Sequence, residues 1–401
     1  MSPRFDPFTP TAIEDPYPQY ARLRVEDPVH WSEKLRSWVL FRHEDVAAFF
    51  RDDERLSSDR TRAAKFRGGN GPGELGFRTV SIDPPEHAPL RALLTGALNP
   101  RVRTLGPRVD ELIAVLLERL EAAVRRVVER ADLEDETDLI AEFAYPLPIN
   151  VIAELFGVPA EDRARFQEWS HGIARGMDRF YSGDGVSRGL GKMHGYFAEM
   201  VAKRKNAEGD DLIRRLLDAR HHGDALTEFE VIVMCSTLVF AGHETTVNLI
   251  GNGMLALMRS REELEHLRAD PGLVERGVEE LLRFDSPAQM ISRTAVADFE
   301  IAGRSIRRGD SVLAAIGSAN RDPTVFQDPD RLDLARYPND HLAFGLGIHF
   351  CPGAVLSRME ARAAIPALLE RFPDIRPGAA PHVWRKTAVL RGLEHLPVRL
   401  R

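Results

Sequence analysis

FGLGIHFCPGAVLSR, residues 344–358, carries one of the two cysteines of this 401-residue chain. Three glycines surround Cys351, and Pro352 follows it directly. Glycine and proline give the stretch around the thiol little tendency to form a regular helix or strand. The helical pattern resumes at once and predicts a helix over 354–372. The segment therefore holds a single thiol in an irregular loop just ahead of a helix.

The composition excludes several classes of protein. A net charge of −7 and a pI near 6.0 do not suit a nucleic-acid-binding protein, which would be basic. The longest apolar stretch, Val231–Gly242, falls short of the roughly 18 residues of a membrane span. The N-terminus has acids and prolines where a signal peptide needs an apolar run. Two cysteines form at most one disulfide. We therefore expect a soluble, cytoplasmic monomer.

Helical periodicity predicts a mainly α-helical fold with a minor β portion. A long amphipathic helix is indicated by apolar residues that share one face: Leu112, Ile113, Leu116, Leu117, Leu120, Val124, Val127 and Val128. Further helices are predicted over 148–157, 161–176, 190–206 and 261–284. Because the composition shows no break, we expect a single domain over residues 1–401.

Strand signals are fewer and fall in two regions of the chain. VHW and SWVLF flank a predicted turn near Glu33, and residues 299–316 predict a hairpin that turns at Ala302-Gly303. GPGELG, within 67–76, matches a dinucleotide-binding pattern, but no strand precedes it and no helix follows it. We expect a loop there.

The longest predicted helix runs from about Glu228 to Met258. Thr227 and Glu230 form a capping box at its start. About 30 residues span roughly 45 Å, and the all-round apolar first half predicts a buried helix. AGHETT (241–246) nevertheless places a carboxylate and hydroxyls in its middle, where an unpaired charge costs several kcal/mol. From these residues alone, a satisfied polar position in the core and a ligand site are equally good explanations.

Cys351 allows several interpretations. A nucleophilic pair with His349 lacks an evident orienting acid, zinc would need further ligands, and covalent haem attachment would need CxxCH. An inert buried cysteine is the ordinary explanation of a single thiol. The remaining interpretation is a thiolate that binds haem iron. Gly345, Gly347 and Gly353 favour haem because they remove side chains where a planar ring would approach the backbone. The amides of the following helix favour a thiolate.

Several segments resemble the motifs of the cytochrome P-450 superfamily. FGLGIHFCPGAVLSR (344–358) resembles its haem-binding loop, F-G-x-G-x-H-x-C-x-G-x-x-L-[AS]-R, and AGHETT (241–246) resembles its oxygen-activation motif. The other matches are ELLR (280–283), DPDRL (328–332), HAPLR (87–91) and SRTA (292–295). The matches follow the order of the family along essentially the whole chain. The resemblance implies the P-450 fold, with haem between a long central helix and the loop of the cysteine ligand.

The resemblance also implies roles for individual residues. Cys351 would be the axial iron ligand of haem b, and Glu244 and Thr245 would pass protons through ordered water. Residues implied at the cofactor are His87, Arg91, Arg293, His349, Phe344, Gly345, Ala241 and Gly242. A structural triad would comprise Glu280, Arg283 and Arg331. The implied substrate pocket contains Leu238, Ala241, Met290, Ile291 and Leu390, with the loop 67–80 and roughly residues 165–190.

The implied reaction is a monooxygenation. One atom of O2 enters a small lipophilic substrate, by hydroxylation or epoxidation, and the other leaves as water. The largely apolar pocket residues suit a terpenoid, steroid, fatty acid or polyketide. A peroxide-driven peroxygenase and a haem-thiolate sensor without turnover are the alternatives, although the Glu244–Thr245 pair argues against a peroxygenase because peroxide arrives already protonated.

The electrons must come from another protein. The chain has no credible flavin or nicotinamide motif, so we expect no fused reductase. A ferredoxin or flavodoxin, with its NAD(P)H-dependent reductase, is implied by the resemblance. Arg91, Arg101, Arg103 and Arg108 offer a candidate basic docking patch on an acidic protein.

Overall fold

The computed structural model describes residues 4–59, 62, 82–128, 136–166, 168–170 and 184–400. The loop expected at 67–76 lies outside the described residues, as do the pocket loop 67–80 and much of the pocket region 165–190. Within the described ranges the chain is mainly helical with small sheets, which confirms the predicted fold class.

The helices surround one long central helix, α9. In chain order they are α1 Pro10–Glu14, α2 Tyr17–Glu26, α3 His43–Arg51, α4 His87–Arg103, α5 Gly106–Val128, α6 Pro146–Phe156, α7 Asp184–Lys205, α8 Leu212–Asp218, α9 Glu228–Arg259, α10 Arg261–Ala269, α11 Val274–Phe284, α12 Ile316–Ala319 and α13 Ala354–Arg371. A π-helical turn, Ile140–Ala144, precedes α6. Helix α9 contacts α6, α7, α8, α11 and α13, so it forms the axis of the molecule.

The strands form one five-stranded sheet and several small ones. They are β1 Val29–Ser32, β2 Ser37–Leu40, β3 Leu56–Ser57, β4 Glu136–Asp138, β5 Arg220–His221, β6 Asp224–Ala225, β7 Met290–Ala295, β8 Phe299–Ile301, β9 Arg304–Ile306, β10 Ser311–Ala315, β11 Arg376–Pro377, β12 Val383–Trp384, β13 Leu393–His395 and β14 Pro397–Arg399. The larger sheet has the order β1-β2-β10-β7-β3, with β10 parallel to β2 and antiparallel to β7. The antiparallel pair β12–β13 forms a hairpin near the C-terminus.

Local sequence signals account for several element boundaries. Thr227 and Glu230 form the predicted capping box at the start of α9. Ala302 and Gly303 have φ angles of 47° and 74°, as a two-residue hairpin turn between β8 and β9 requires. The helix predicted over 261–284 is instead two helices. Proline 271 cannot continue α10, and the Asp270 side chain accepts a hydrogen bond from the amide of residue 272 at 2.9 Å.

The main hydrophobic core lies around α9. Cys235 is fully buried in it, as expected for the apolar half of that helix. A second cluster joins the larger sheet to α3, and a third joins the N-terminal helices to the other face of the sheet. Among the described residues, no helix combines the length and apolar character needed to cross a membrane.

Candidate active site

Cys351 lies between a short 3₁₀ turn, Gly347–His349, and the start of α13. Its amide donates to the carbonyl of Phe344 at 3.0 Å, which closes the loop. Burial raises the pKa of the Cys351 thiol, while hydrogen bonds from the amides of Gly353 and Ala354 act in the opposite direction. Those two amides donate to the sulfur as the first turn of a helix can. The loop thus presents a buried sulfur that accepts hydrogen bonds from two backbone amides.

Two of the loop glycines contact the end of α3. Gly345 and Gly347 have φ angles of 68° and 70°, a conformation that favours glycine. A Cβ on Gly345 would lie 3.1 Å from the ring of Phe50, and one on Gly347 would lie 2.8 Å from the carbonyl oxygen of Phe50. These glycines therefore allow the loop to pack against the end of α3. Only Gly353 faces the thiol, with its would-be Cβ 3.9 Å from the sulfur.

Two imidazoles and two arginines lie near the cysteine loop. The rings of His87 and His349 are 4.4 Å apart, and His349 Nε2 lies 3.1 Å from the hydroxyl of Ser58. Burial, followed by the charges of His87 and Arg293, lowers the pKa of His349 to about 4. Arg91 donates to the carbonyl of Phe350 at 2.5 Å. The structure thus brings together four residues that the sequence predicted at the cofactor.

Arg293 is buried and donates to the end of α3. Its guanidinium reaches the carbonyl oxygens of Phe49, Phe50 and Asp52 at 2.7, 3.3 and 3.2 Å. Basic groups at a helix C-terminus satisfy carbonyls that have no partner within the helix. Burial lowers the pKa of Arg293. Arg293 therefore has a structural contact in addition to its proximity to His349.

The middle of α9 is open on one side only. Ala241 is exposed and Thr245 is partly exposed, whereas the intervening His243 and Glu244 are fully buried. Because residues four apart share a helix face, Ala241 and Thr245 form one open strip. The Thr245 hydroxyl donates to the Ala241 carbonyl at 2.8 Å, as expected for a hydroxyl on a helix.

Gly242 lies where α9 packs against α6. A Cβ at this position would lie 3.1 Å from Cδ1 of Ile152, so the missing side chain lets α6 approach α9. Gly242 therefore has a helix-packing role, and its contact with the cofactor stays a prediction. The adjacent Thr246 hydroxyl lies 3.4 Å from that of Ser357, and this contact joins α9 to α13.

Glu244 has a partner that the sequence analysis missed. Arg385, just after β12, donates to a carboxylate oxygen of Glu244, whose side chain is fully buried. The pairing neutralises a charge that would otherwise be costly at this depth. The two residues are 141 positions apart, and no local signal in the sequence links them. The other carboxylate oxygen of Glu244 has no partner among the described residues.

His243 connects α9 to two neighbouring segments. Its Nδ1 lies 2.8 Å from the hydroxyl of Ser170, and its Nε2 lies 3.2 Å from the carbonyl of Tyr145. Both ring nitrogens are therefore engaged. These two contacts hold the His243 side chain, next to Glu244, in place.

The predicted pocket residues divide into two groups. Ile291 is 42% exposed, and Leu238 and Leu390 are partly buried. A backbone bridge between Ala288 and Leu390 holds the segment of Leu390 beside β7. Met290, by contrast, is 2% exposed and packs in the third cluster, with the N-terminal helices. Successive residues of a strand point to opposite faces, so Met290 and Ile291 cannot both line one pocket. Met290 therefore packs on the side of β7 opposite to the exposed Ile291.

The structural triad contains a different second arginine. Glu280 and Arg283 form a fully buried pair, with nitrogen–oxygen distances of 2.7 and 2.8 Å. Arg336, not Arg331, completes it, because its Nε lies 3.2 and 3.1 Å from the two oxygens of Glu280. The Arg331 side chain is exposed, and only its carbonyl participates, by accepting from Arg283 at 3.2 Å.

A second cluster of charged residues holds α11 against α13. Glu279 accepts from Arg358 at 2.8 and 2.6 Å, and from His341 at 3.1 Å. Burial raises the pKa of Glu279, but these hydrogen bonds outweigh it and lower the pKa to about 2. The guanidinium of Arg358 also lies 4.4 Å above the ring of Phe344. The cluster thereby fixes the loop that leads to Cys351.

Another carboxyl group on α13, that of Glu360, is buried without a charged neighbour. Its side chain is 1% exposed, and both oxygens lack partners among the described residues. Burial raises the pKa of Glu360 well above its ordinary value. The group therefore favours its neutral form.

Haem fits the residues that this structure brings together. The thiol of Cys351 has amide donors directed at the sulfur, and Ala241 and Thr245 expose part of an otherwise buried helix. Hydrogen-bonding groups from His87, Arg91 and His349 suit the carboxylates at the edge of such a ring. Among the described residues, no three His, Cys, Asp or Glu side chains form a metal-binding group.

Comparison with known proteins identifies the family. The family model described as Cytochrome P450 matches residues 190–379. The chain is 38% identical to the polyketide biosynthesis cytochrome P450 PksS of Bacillus subtilis, over 99% of this chain and 98% of that protein. It is 37% identical to the vitamin D(3) 25-hydroxylase of Pseudonocardia autotrophica, over 98% and 96%.

Solved structures show the same relationship. The structure of PksS matches with a TM-score of 0.88 and covers 99% of each chain. P450BioI, in complex with an acyl carrier protein that carries hexadec-9Z-enoic acid, matches with a TM-score of 0.87 at 34% identity, over 97% of this chain and 98% of that one. The chain therefore belongs to the cytochrome P450 family, whose members are oxidoreductases that bind haem through a cysteine thiolate.

Proposed function

We propose that this P450 inserts one atom of O2 into a lipophilic small molecule, with electrons from a separate ferredoxin or flavodoxin. The observation that carries the proposal is the open strip of Ala241 and Thr245, beside the buried Glu244, in a protein whose Cys351 has backbone donors to its sulfur. One side of the cofactor would meet the thiolate. The other would meet a hydroxyl and a carboxylate able to move protons.

The bound haem supplies oxygen activation, which the thiolate assists by donating electron density to iron. The chain's own residues hold and surround it. Cys351 would ligate the iron, and His87, Arg91, His349 and Arg293 would bind its carboxylates. Arg385 holds the carboxylate of Glu244 in place, and the Thr245 hydroxyl is fixed on the Ala241 carbonyl. These two groups would deliver protons to the distal side.

The substrate is proposed to be apolar and larger than a simple alkane. Leu238, Ile291 and Leu390 offer partly exposed aliphatic surface, which suits a lipophilic ligand. The relatives support the size class, since their names refer to polyketide biosynthesis, to vitamin D(3) and to a C16 acyl chain on a carrier protein. A polyketide, a steroid-like molecule and a fatty acyl chain are therefore the first substrates to test.

The surface near α4 is the proposed docking site for the electron donor. Of the four arginines considered, Arg108 forms ion pairs with Glu111 and Glu154, and Arg91 points toward the cysteine loop. Arg101 and Arg103, in the last turn of α4, remain as the cationic candidates. Arg101→Glu together with Arg103→Glu should slow the first electron transfer from a ferredoxin. An unchanged rate would exclude this surface.

The proposal is tested by reconstitution with haem, NAD(P)H, a surrogate ferredoxin and its reductase. A panel of a macrolactone, a steroid, a free fatty acid and the same acid on a carrier protein is first screened for substrate-induced Soret shifts. Oxygenated product that depends on both NAD(P)H and O2 supports a monooxygenase. Product formed only with added peroxide indicates a peroxygenase. Binding shifts without product under either condition indicate a sensor.

A further inference from the structure

The connection between the two strands of the C-terminal hairpin carries one of the predicted pocket residues. Residues 385–392 join β12 to β13, and Leu390 lies within them, partly buried against the main core. The strand ladder ends at the pair of Trp384 and Leu393, short of Leu390. Contacts other than the ladder must therefore set the position of Leu390. We call residues 387–391 the wall segment.

Backbone hydrogen bonds fasten the wall segment to the residues that lead into β7. The Arg391 amide donates to the carbonyl of Pro287 at 2.8 Å, and the Gln289 amide donates to the carbonyl of Val389 at 2.7 Å. Within the segment, the Thr387 hydroxyl accepts from the amides two and three positions further along, at 3.1 and 3.3 Å. These bonds hold the shape of the wall segment and attach one of its edges.

The Arg391 side chain runs from the wall segment to the N-terminal helix. It is 8% exposed, and each guanidinium nitrogen has an acceptor. Nη1 and Nη2 donate to the carbonyls of Ile13 and Glu14, at the end of α1, at 2.8 and 2.9 Å. Nε donates to the carboxylate of Asp285, just after α11, at 2.7 Å. The guanidinium also lies 3.6 Å above the centre of the Trp384 ring.

The main chain of Arg391 adds a contact with the central helix. Its carbonyl accepts from the side chain of Asn252 on α9 at 3.1 Å. One residue therefore connects the wall segment with α1, α9 and the end of α11. Arginine alone offers five N–H donors in a rigid planar fork, so no other side chain can satisfy the same three acceptors. A displacement of the neighbouring Leu390 would disturb several of these bonds together.

We propose that Arg391 is a positioning residue that sets the substrate selectivity of this P450. It acts through Leu390, because its fixed fork determines how far the leucine side chain extends into the pocket. The position of this wall decides which part of a lipophilic substrate is presented for oxygenation, and displacements of about 1 Å are enough to matter. The substrates concerned are extended lipophiles, long enough to reach the wall segment. The inference rests on the proposed function, since it takes Leu390 as a pocket residue.

Two variants weaken the fork from opposite sides. Arg391→Lys keeps the positive charge but loses the planar set of donors. Asp285→Asn weakens the same contact at a side chain that is 13% exposed, and it serves if Arg391→Lys does not fold. Arg321→Lys is the matched control. Arg321 is also a buried arginine, 7% exposed, but it donates to the Phe284 carbonyl at 2.9 and 2.7 Å and to Asp330 at 3.1 Å.

The first measurement uses two probes that bind haem iron through the same ring. Imidazole is too small to reach the wall segment, whereas the alkyl chain of N-dodecylimidazole fills the pocket. Each probe is titrated by its shift of the Soret band, and the ratio of the two dissociation constants gives the preference for the long probe. This preference should fall about tenfold in Arg391→Lys and Asp285→Asn and stay at the parent value in Arg321→Lys.

Two outcomes of this titration overturn the inference. One is an unchanged preference in both Arg391→Lys and Asp285→Asn. The other is an equal fall in Arg321→Lys, which would mean that any loss of a buried arginine fork disturbs the pocket. The ratio excludes effects on the iron itself, because both probes bind iron in the same way.

The second measurement asks whether Arg391 acts through Leu390. Leu390→Ala removes the wall side chain and should by itself lower the preference for the long probe about tenfold. Adding Arg391→Lys should then change the preference by less than about twofold, because residues that act through one contact are not additive. Two losses that multiply in the double variant would show separate effects and overturn the inference.

A crystal structure of haem-loaded Arg391→Lys gives a third readout. The Leu390 side chain should be displaced relative to α9 from its position in the parent, and an unmoved Leu390 overturns the inference. None of these measurements depends on turnover. A parent that forms no oxygenated product from the substrate panel would refute the proposed function, whereas the probe preference would still test the role of Arg391.

Discussion

Arg336 Nε lies 3.2 and 3.1 Å from the two carboxylate oxygens of Glu280, in an ion pair whose acidic partner is fully buried. Glu280 also accepts from Arg283, from the Asn339 side chain at 3.2 Å and from the Asp333 amide at 3.0 Å. The pair therefore fastens α11 to the long loop that leads toward the cysteine.

Arg336→Ala should destabilise the protein by about 3 kcal/mol, because removing one partner of a buried ion pair leaves a charge incompletely compensated. The variant should also lose haem during purification. Arg331→Ala is the control, since the Arg331 side chain is exposed and should cost less than about 0.5 kcal/mol. Urea unfolding midpoints and haem content per chain measure both effects. Equal losses of stability and haem in the two variants would indicate that Arg331 contributes to the triad as much as Arg336 does.

Cys351→Ser should abolish the red-shifted Soret band that a thiolate-ligated haem gives in the reduced, CO-bound state. Serine removes the sulfur that donates electron density to iron. Cys235→Ser should keep the band, since Cys235 is buried in the core around α9. A difference spectrum of each reduced protein with CO provides the comparison. Retention of the band in Cys351→Ser would refute iron ligation by this residue.

Thr245→Ala should bind substrate normally but divert reducing equivalents into hydrogen peroxide. The hydroxyl lies on the open strip next to Glu244, so its loss interrupts proton delivery without filling the pocket. We expect product per NAD(P)H to fall at least about tenfold. Thr246→Val is a suitable control, because the Thr246 hydroxyl is directed toward α13. Unchanged coupling in Thr245→Ala would remove this residue from the mechanism.

Glu279 should make the stability depend on pH in the acid range. The folded protein holds the pKa of this carboxyl at about 2, against an ordinary value of 4.5. Between these two pKa values the unfolded state binds more protons than the folded state. The ionised Glu279 therefore contributes about 3 kcal/mol to the free energy of unfolding above pH 4.5, and this contribution disappears as pH falls toward 2. The difference in urea midpoint between the parent and Glu279→Gln should shrink from about pH 7 to about pH 3. A constant difference would contradict the prediction.

Pro352→Leu should raise the reduction potential of the haem. The sulfur of Cys351 accepts from the amides of Gly353 and Ala354, and proline at 352 has no N–H to add a third bond. A leucine amide there would withdraw electron density from the thiolate. Val355→Leu, at a residue that is 57% exposed in the same helical turn, serves as the control. The reduction potentials of the parent and both variants are measured by redox titration without substrate. Equal potentials in all three proteins would mean that Pro352 only starts the helix.

The sequence by itself determined the elements whose signals are local. The capping box at Thr227, the turn at Ala302-Gly303 and the thiol ahead of α13 depend on neighbouring residues, and the structure has all three. Local steric and hydrogen-bonding preferences operate over a few residues, so they can be read directly from the chain. The order of the motifs was likewise sufficient to predict the family.

Only the tertiary structure decided which distant residues meet. Arg336 and Arg331 stand five positions apart in one irregular loop, and nothing in their local sequence shows which guanidinium turns inward. Glu244 and Arg385 meet because the C-terminal hairpin packs across α9. Gly242 and Gly345 match motif positions, yet the neighbours that require them are Ile152 and Phe50. Packing between elements brings such partners together from far apart in the chain. The sequence shows that a buried charge needs an oppositely charged partner, but it does not show which residue supplies that partner.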